Sequence, residues 1–96
     1  DVYAINNKAE ALAEMGKNEE ALSVIEKTAL DNPKDETLQS TMAFILANMG
    51  KDDEARVYYE KALKINPNLT EILYEDELDE FNRVMGTNTT QQQKQQ

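Results

Sequence analysis

The chain has 96 residues, 40% hydrophobic, 30% charged and 6% aromatic, with a formal net charge of −9, no Cys and no His. That bounds it to one domain of globular composition and excludes disulfides, thiolate nucleophiles and the commonest general base and metal ligand; neither catalysis nor a cofactor is expected. The acidic balance argues against nucleic acid and anionic membranes, no apolar run nears the ~20 residues of a membrane span, and the reading is a cytoplasmic chain with a protein partner, a basic one being electrostatically allowed.

Residues 2–15 place Ile5, Ala9, Leu12 and Ala13 at helical spacing. Gly16 ends this helix, since glycine accepts the left-handed conformation found past helix C-termini. Asn18 is expected to cap the next helix, with Glu19 and Glu20 at its positive end. That helix runs to about residue 30, turns Ala21, Leu22, Ile25, Thr28 and Ala29 inward, and is closed by Pro33.

The second unit repeats the plan. Asp35 is expected to cap a helix over 36–49 whose inner face holds Leu38, Met42, Ala43, Leu46 and Ala47. Gly50 ends it, and Asp52 caps a partner helix with Ala55, Tyr58, Tyr59, Ala62, Leu63 and Ile65 on its apolar side. Gly16 and Gly50, Glu20 and Glu54, Ala21 and Ala55, and Pro33 and Pro67 all lie 34 residues apart. A fixed period of that length marks a stacked helical repeat, here two helical hairpins, repeat one over 2–35 and repeat two over 36–69.

A third unit begins and then departs. A capping helix is expected over 69–85, opened by Asn68 and Glu71 at capping-box spacing, with Ile72 and Leu73 on the inner face. The following inward positions are Asp76, Glu77 and Glu80, which are not buried unpaired, so the apolar stripe shifts to Tyr74, Leu78, Phe81 and Met85. Gly86 follows Gly50 by 36 residues, two late. An acidic outer face suits the end of a stack, and the cluster lacks the alternating ligands and turn glycine of a calcium loop. Residues 86–96 hold no apolar side chain and read as a flexible, polar, glutamine-rich tail after a domain over 1–85.

On these residues the chain resembles the tetratricopeptide repeat (TPR) family. Ala9 and Ala43 match its small position in the first helix, Ala21 and Ala55 that early in the second, Thr28 and Ala62 that near its end, and Pro33 and Pro67 its closing proline. Ile5 and Gln39 depart from it where an aromatic is usual, as do Thr28 and Ile25 at two further places. The resemblance implies an all-α, TPR-like α-α superhelix of two hairpins and a fifth capping helix, in which small residues let helix axes approach and bulky neighbours fill the grooves. It also implies a concave groove along the first helices. That groove would be lined by Tyr3, Asn6, Asn7, Glu10 and Glu14, then Thr37, Ser40, Thr41, Phe44 and Asn48, then Glu71, Tyr74, Glu75 and Leu78.

Asn7 stands out there as an amide able to hold a peptide backbone. Where one TPR subtype grips chaperone-tail carboxylates with cations, this chain carries Asn6, Glu10, Thr41, Glu71 and Glu75, so it is not read as such a clamp. The expected function is a protein–protein interaction scaffold that binds a peptide or helix in the groove. Homo-oligomerisation through the 74–85 stripe, or service as the regulatory segment of a larger enzyme, are the alternatives. Because a stack needs about three repeats, more repeats before Asp1 or self-association are expected to support it.

Overall fold

The computed structural model describes residues 1–86, which form α1 (Val2–Glu14), α2 (Asn18–Asp31), α3 (Glu36–Asn48), α4 (Asp52–Ile65), a 3-10 turn at Leu69–Glu71 and α5 (Glu75–Met85). Among the described residues there is no strand, and no helix is long and apolar enough to cross a membrane. The expected tail, past Gly86, lies outside the described residues.

Both hairpins turn on the same hydrogen-bond pattern. Gly16 and Gly50 adopt φ 82° and 77°, a left-handed conformation that a Cβ disfavours. The amide of Gly16 donates to Ala13 O (3.0 Å) and that of Lys17 to Leu12 O (2.8 Å); Gly50 and Lys51 repeat this on Ala47 O (3.0 Å) and Leu46 O (2.9 Å). These are paired Schellman closures, and they satisfy the last carbonyls of α1 and α3. The same lysines open the next helices, since Lys17 O accepts from Ala21 N (3.0 Å) and Lys51 O from Ala55 N (2.9 Å). Asn18 and Asp52 are therefore the first residues inside their helices and not the caps expected of them. One residue ends one helix and begins the next, which leaves no position for a separate cap. Asp35 does cap α3, its carboxylate accepting from Leu38 N at 3.0 Å.

The alanines nest as the period predicts. Ala9, Ala21, Ala43, Ala55 and Ala62 are all 0% exposed, and Ile25, Leu38, Ile45 and Tyr59 fill the space around them. Ile65, expected inward, stands at the surface. Helix α3 packs against α1, α2, α4 and α5, and every residue from 38 to 47 is buried. The departure at Gln39 has a structural reason. Its buried amide donates to Ala29 O (3.1 Å) and Asn32 O (3.0 Å), pairing the C-terminal end of α2 and tying the first repeat to the second.

The expected helix over 69–85 is two pieces. Asn68 makes no side-chain cap; its backbone N–H donates to Asn66 Oδ1 at 3.0 Å, and only the 3-10 turn follows, with Leu69 fully buried. Helix α5 starts at Glu75, where Glu75, Asp76 and Glu77 all occupy the first turn, at the positive end of the helix dipole. Tyr74 N donates to Glu77 Oε1 at 3.0 Å, which fixes that start. The late start turns Phe81 and Val84 inward, and Phe81 meets Tyr59 edge-on with ring centroids 5.0 Å apart. Leu78 and Met85 are half-buried and Tyr74 is exposed, so the stripe expected over 74–85 is mostly interior. Two arginines latch the helix. Arg83 reaches Asp52 (2.8 and 3.1 Å), Ala47 O (3.0 Å) and Glu80 (2.9 Å), while Arg56 donates to Val84 O at 2.7 Å.

Candidate functional site

Tyr3, Asn6, Asn7 and Glu10 lie at i, i+3, i+4 and i+7 along α1 and so share one helix face. Thr37, Ser40 and Thr41 stand at the first three of those positions one repeat later, on α3. With Ile72, Leu73, Tyr74 and Glu77 they enclose a cleft of about 200 Å³. Helix α1 supplies one wall, α3 the floor, and the segment leading into α5 the other wall.

The cleft has an aromatic rim and a polar interior. Tyr3 is 76% exposed and Tyr74 67%, and Ile72 beside them is exposed as well. Inside, Asn6 Oδ1 and Thr41 Oγ1 are buried with no hydrogen-bond partner. Two unpaired polar atoms in one small cleft are uncommon, because each such group forfeits hydration with nothing in return.

Glu10 and Glu77 both line the cleft, one from α1 and the other from α5. Burial first, then the neighbouring Glu77 side chain and the charges of Glu77, Glu14 and Asp76, push the pKa at which the Glu10 carboxyl gives up its proton from 4.5 to about 8. The folded chain therefore holds this proton in a pH range where an unfolded chain has released it. Stability from this group is whole below about pH 4.5 and is lost as pH rises through about 8.

Of the residues expected to line the groove, Tyr3, Asn6, Asn7, Glu10, Thr37, Ser40, Thr41 and Tyr74 come together here. The other expected residues lie elsewhere. Phe44, expected to line the groove, is only 5% exposed because four helices enclose α3. Asn48 is half-buried and its amide faces Asn18 Oδ1 at 3.4 Å; Leu78 is half-buried on α5. Glu14, Glu71 and Glu75 are exposed outside the cleft. Asn6, Ser40 and Thr41 are floor rather than surface, each at least nine-tenths buried.

The residues that sequence reasoning missed are Ile72, Leu73 and above all Glu77, which is 6% exposed. The Tyr-x-x-Glu spacing of Tyr74 and Glu77, that of an N-terminal capping box, was the available signal. No group of three or more acidic, His or Cys side chains among the described residues is arranged to hold a metal ion.

A family model described as "Psidin, N-terminal TPR repeats region" matches residues 2–95. No curated protein and no solved structure gives a significant match to the chain.

Proposed function

The chain belongs to the family of Psidin N-terminal TPR-repeat regions, and from that premise we propose that it is a protein-interaction module whose α1–α3–α5 cleft receives a segment of a partner protein. The observation that carries this reading is the cleft's pairing of an exposed aromatic rim with buried, unpartnered polar atoms. Aromatic rings offer contact area at low entropic cost, and unpaired acceptors reward a guest that donates to them. Asn7, exposed at the rim, offers both an amide donor and an acceptor to a passing peptide backbone.

The action is recognition without covalent chemistry, and the acidic walls favour a basic or neutral segment. Self-association through the 74–85 stripe is the weaker reading, since Phe81 packs inside against Tyr59.

Peptides selected from a random display library against the chain provide the test. Their affinity is expected to fall about tenfold or more in a Tyr3→Ala/Tyr74→Ala double variant and several-fold in Asn7→Ala, measured by fluorescence anisotropy; about 1.4 kcal/mol corresponds to each tenfold. Unchanged affinity in both variants, with folding intact by circular dichroism, would remove the cleft as the binding site.

A further inference from the structure

Building on that cleft reading, we propose that its interior is a receptor for one arginine side chain of the partner. The guanidinium sits between Glu10 and Glu77, and the alkyl stem lies along Tyr3 and Tyr74. Three observations independent of charge alone point to this guest. At about 200 Å³ the cleft is smaller than the ~300–1,000 Å³ of drug-sized ligand sites, and it suits a single side chain. Asn6 Oδ1 and Thr41 Oγ1, on two side chains that line the cleft, are buried and unpartnered. An arginine carries five N–H donors and no acceptor, so it can serve these two atoms and both carboxyls. The rim is aromatic where the guest must be aliphatic or planar, and guanidinium groups stack on aromatic faces.

The same geometry makes capture depend on pH. The ionisable groups acting on Glu10 are Glu77 and Asp76 from α5 and Glu14 from its own helix, all acidic. Helix α3 contributes only uncharged hydroxyl side chains to the cleft, and no α2 group acts on Glu10. Without a guest, Glu10 keeps its proton up to about pH 8, whereas a guanidinium is drawn to the ionised carboxylate. Proton and arginine therefore compete, and binding tightens as pH rises.

The probe is a capped pentapeptide with a central arginine flanked by serine and glycine. Its control has citrulline, which is isosteric and uncharged, at the centre. Both are titrated into the nitrogen-15-labelled chain and followed by nuclear magnetic resonance. The arginine peptide is expected to shift the backbone signals of Glu10, Thr41 and Glu77. It should bind about tenfold tighter at about pH 9 than at about pH 6, and about tenfold tighter than the citrulline peptide at the higher pH. Glu10→Gln and Glu77→Gln should each abolish the preference for arginine. Both are neutral isosteres, and glutamine at position 77 still accepts from Tyr74 N–H, so α5 keeps its start. Equal binding of the two peptides, or an arginine preference that survives in both variants, overturns the proposal. The display-selected peptides separate this from the broader reading. If they bind through Tyr3, Tyr74 and Asn7 yet are indifferent to Glu10→Gln and Glu77→Gln, the cleft stands as a binding site and the arginine receptor falls.

Discussion

The two inter-repeat junctions of this chain solve one problem in different ways. Between α2 and α3 the joint is in phase: Ala29 and Leu38 are buried, and a connection of four residues leads from Asp31 to Glu36. Its buried polar tie is the neutral amide of Gln39. Between α4 and α5 the period has slipped. Nine residues join Ile65 to Glu75, and Leu69 plugs the gap. The contact there is a large aromatic pair flanked by Arg83 and Arg56. Small residues at a fixed period set a helix crossing with no further help, whereas a junction out of register needs one large side chain for area and charges for position.

The largest effect expected from breaking this contrast is at Phe81. It is buried against Tyr59, and Phe81→Ala should lower stability by about 3–5 kcal/mol through lost transfer energy and the cavity left behind. Urea unfolding measures this, and the loss should exceed that from removing either arginine. A loss below about 1 kcal/mol would mean that α5 is held by its charges and that the two junctions differ in kind rather than in composition.

The regular junction was legible because its information is local and periodic. Glycine, alanine and proline recur 34 residues apart, and each has one physical task that its neighbours cannot perform. What was not legible depends on partners far away in the chain. Glu77 reads as an outward acid because an unpaired carboxylate is not buried; it lines the cleft with Glu10, on α1, four helices earlier in the chain. Phe44 reads as groove-facing from its place on a first helix, but α3 is the helix that four others enclose. The cleft was thus found on its α1 and α3 sides and at Tyr74, and missed at Ile72, Leu73 and Glu77, where the 3-10 turn replaces the expected helix start.

Gln39 sharpens the contrast from the other side, since by pattern it is a departure and by structure a tie. Gln39→Met keeps length and apolar bulk but removes the donor to Ala29 O and Asn32 O. Ala29 O also accepts from Asn32 N at 3.3 Å, so it is not left wholly unpaired. The expected loss is therefore about 1–2 kcal/mol, near the lower end for stranded buried acceptors. Amide hydrogen exchange should quicken in the last turn of α2 and stay unchanged in α5. A neutral or stabilising result would show that packing alone holds the regular junction.

Arg83 gives the smallest expected effect and the cleanest separation of the two junctions. Its guanidinium forms two bonds to Asp52 and one to Ala47 O, and so joins α5 to α3 and α4 at once. The side chain is nevertheless 47% exposed, and water screens ion pairs at such a site. Arg83→Ala should therefore cost only about 0.5–1 kcal/mol at low salt. Absolute stability is a poor readout, because salt also relieves the self-repulsion of a chain with net charge −9. That relief is nearly common to the wild type and the variant, so the difference between them isolates the latch. The gap should shrink toward zero as ionic strength approaches about 1 M, where screening acts within about 3 Å. The gap for Gln39→Met, which removes neutral hydrogen bonds, should not move with salt. If the two gaps respond alike, the out-of-phase junction does not owe its position to charge.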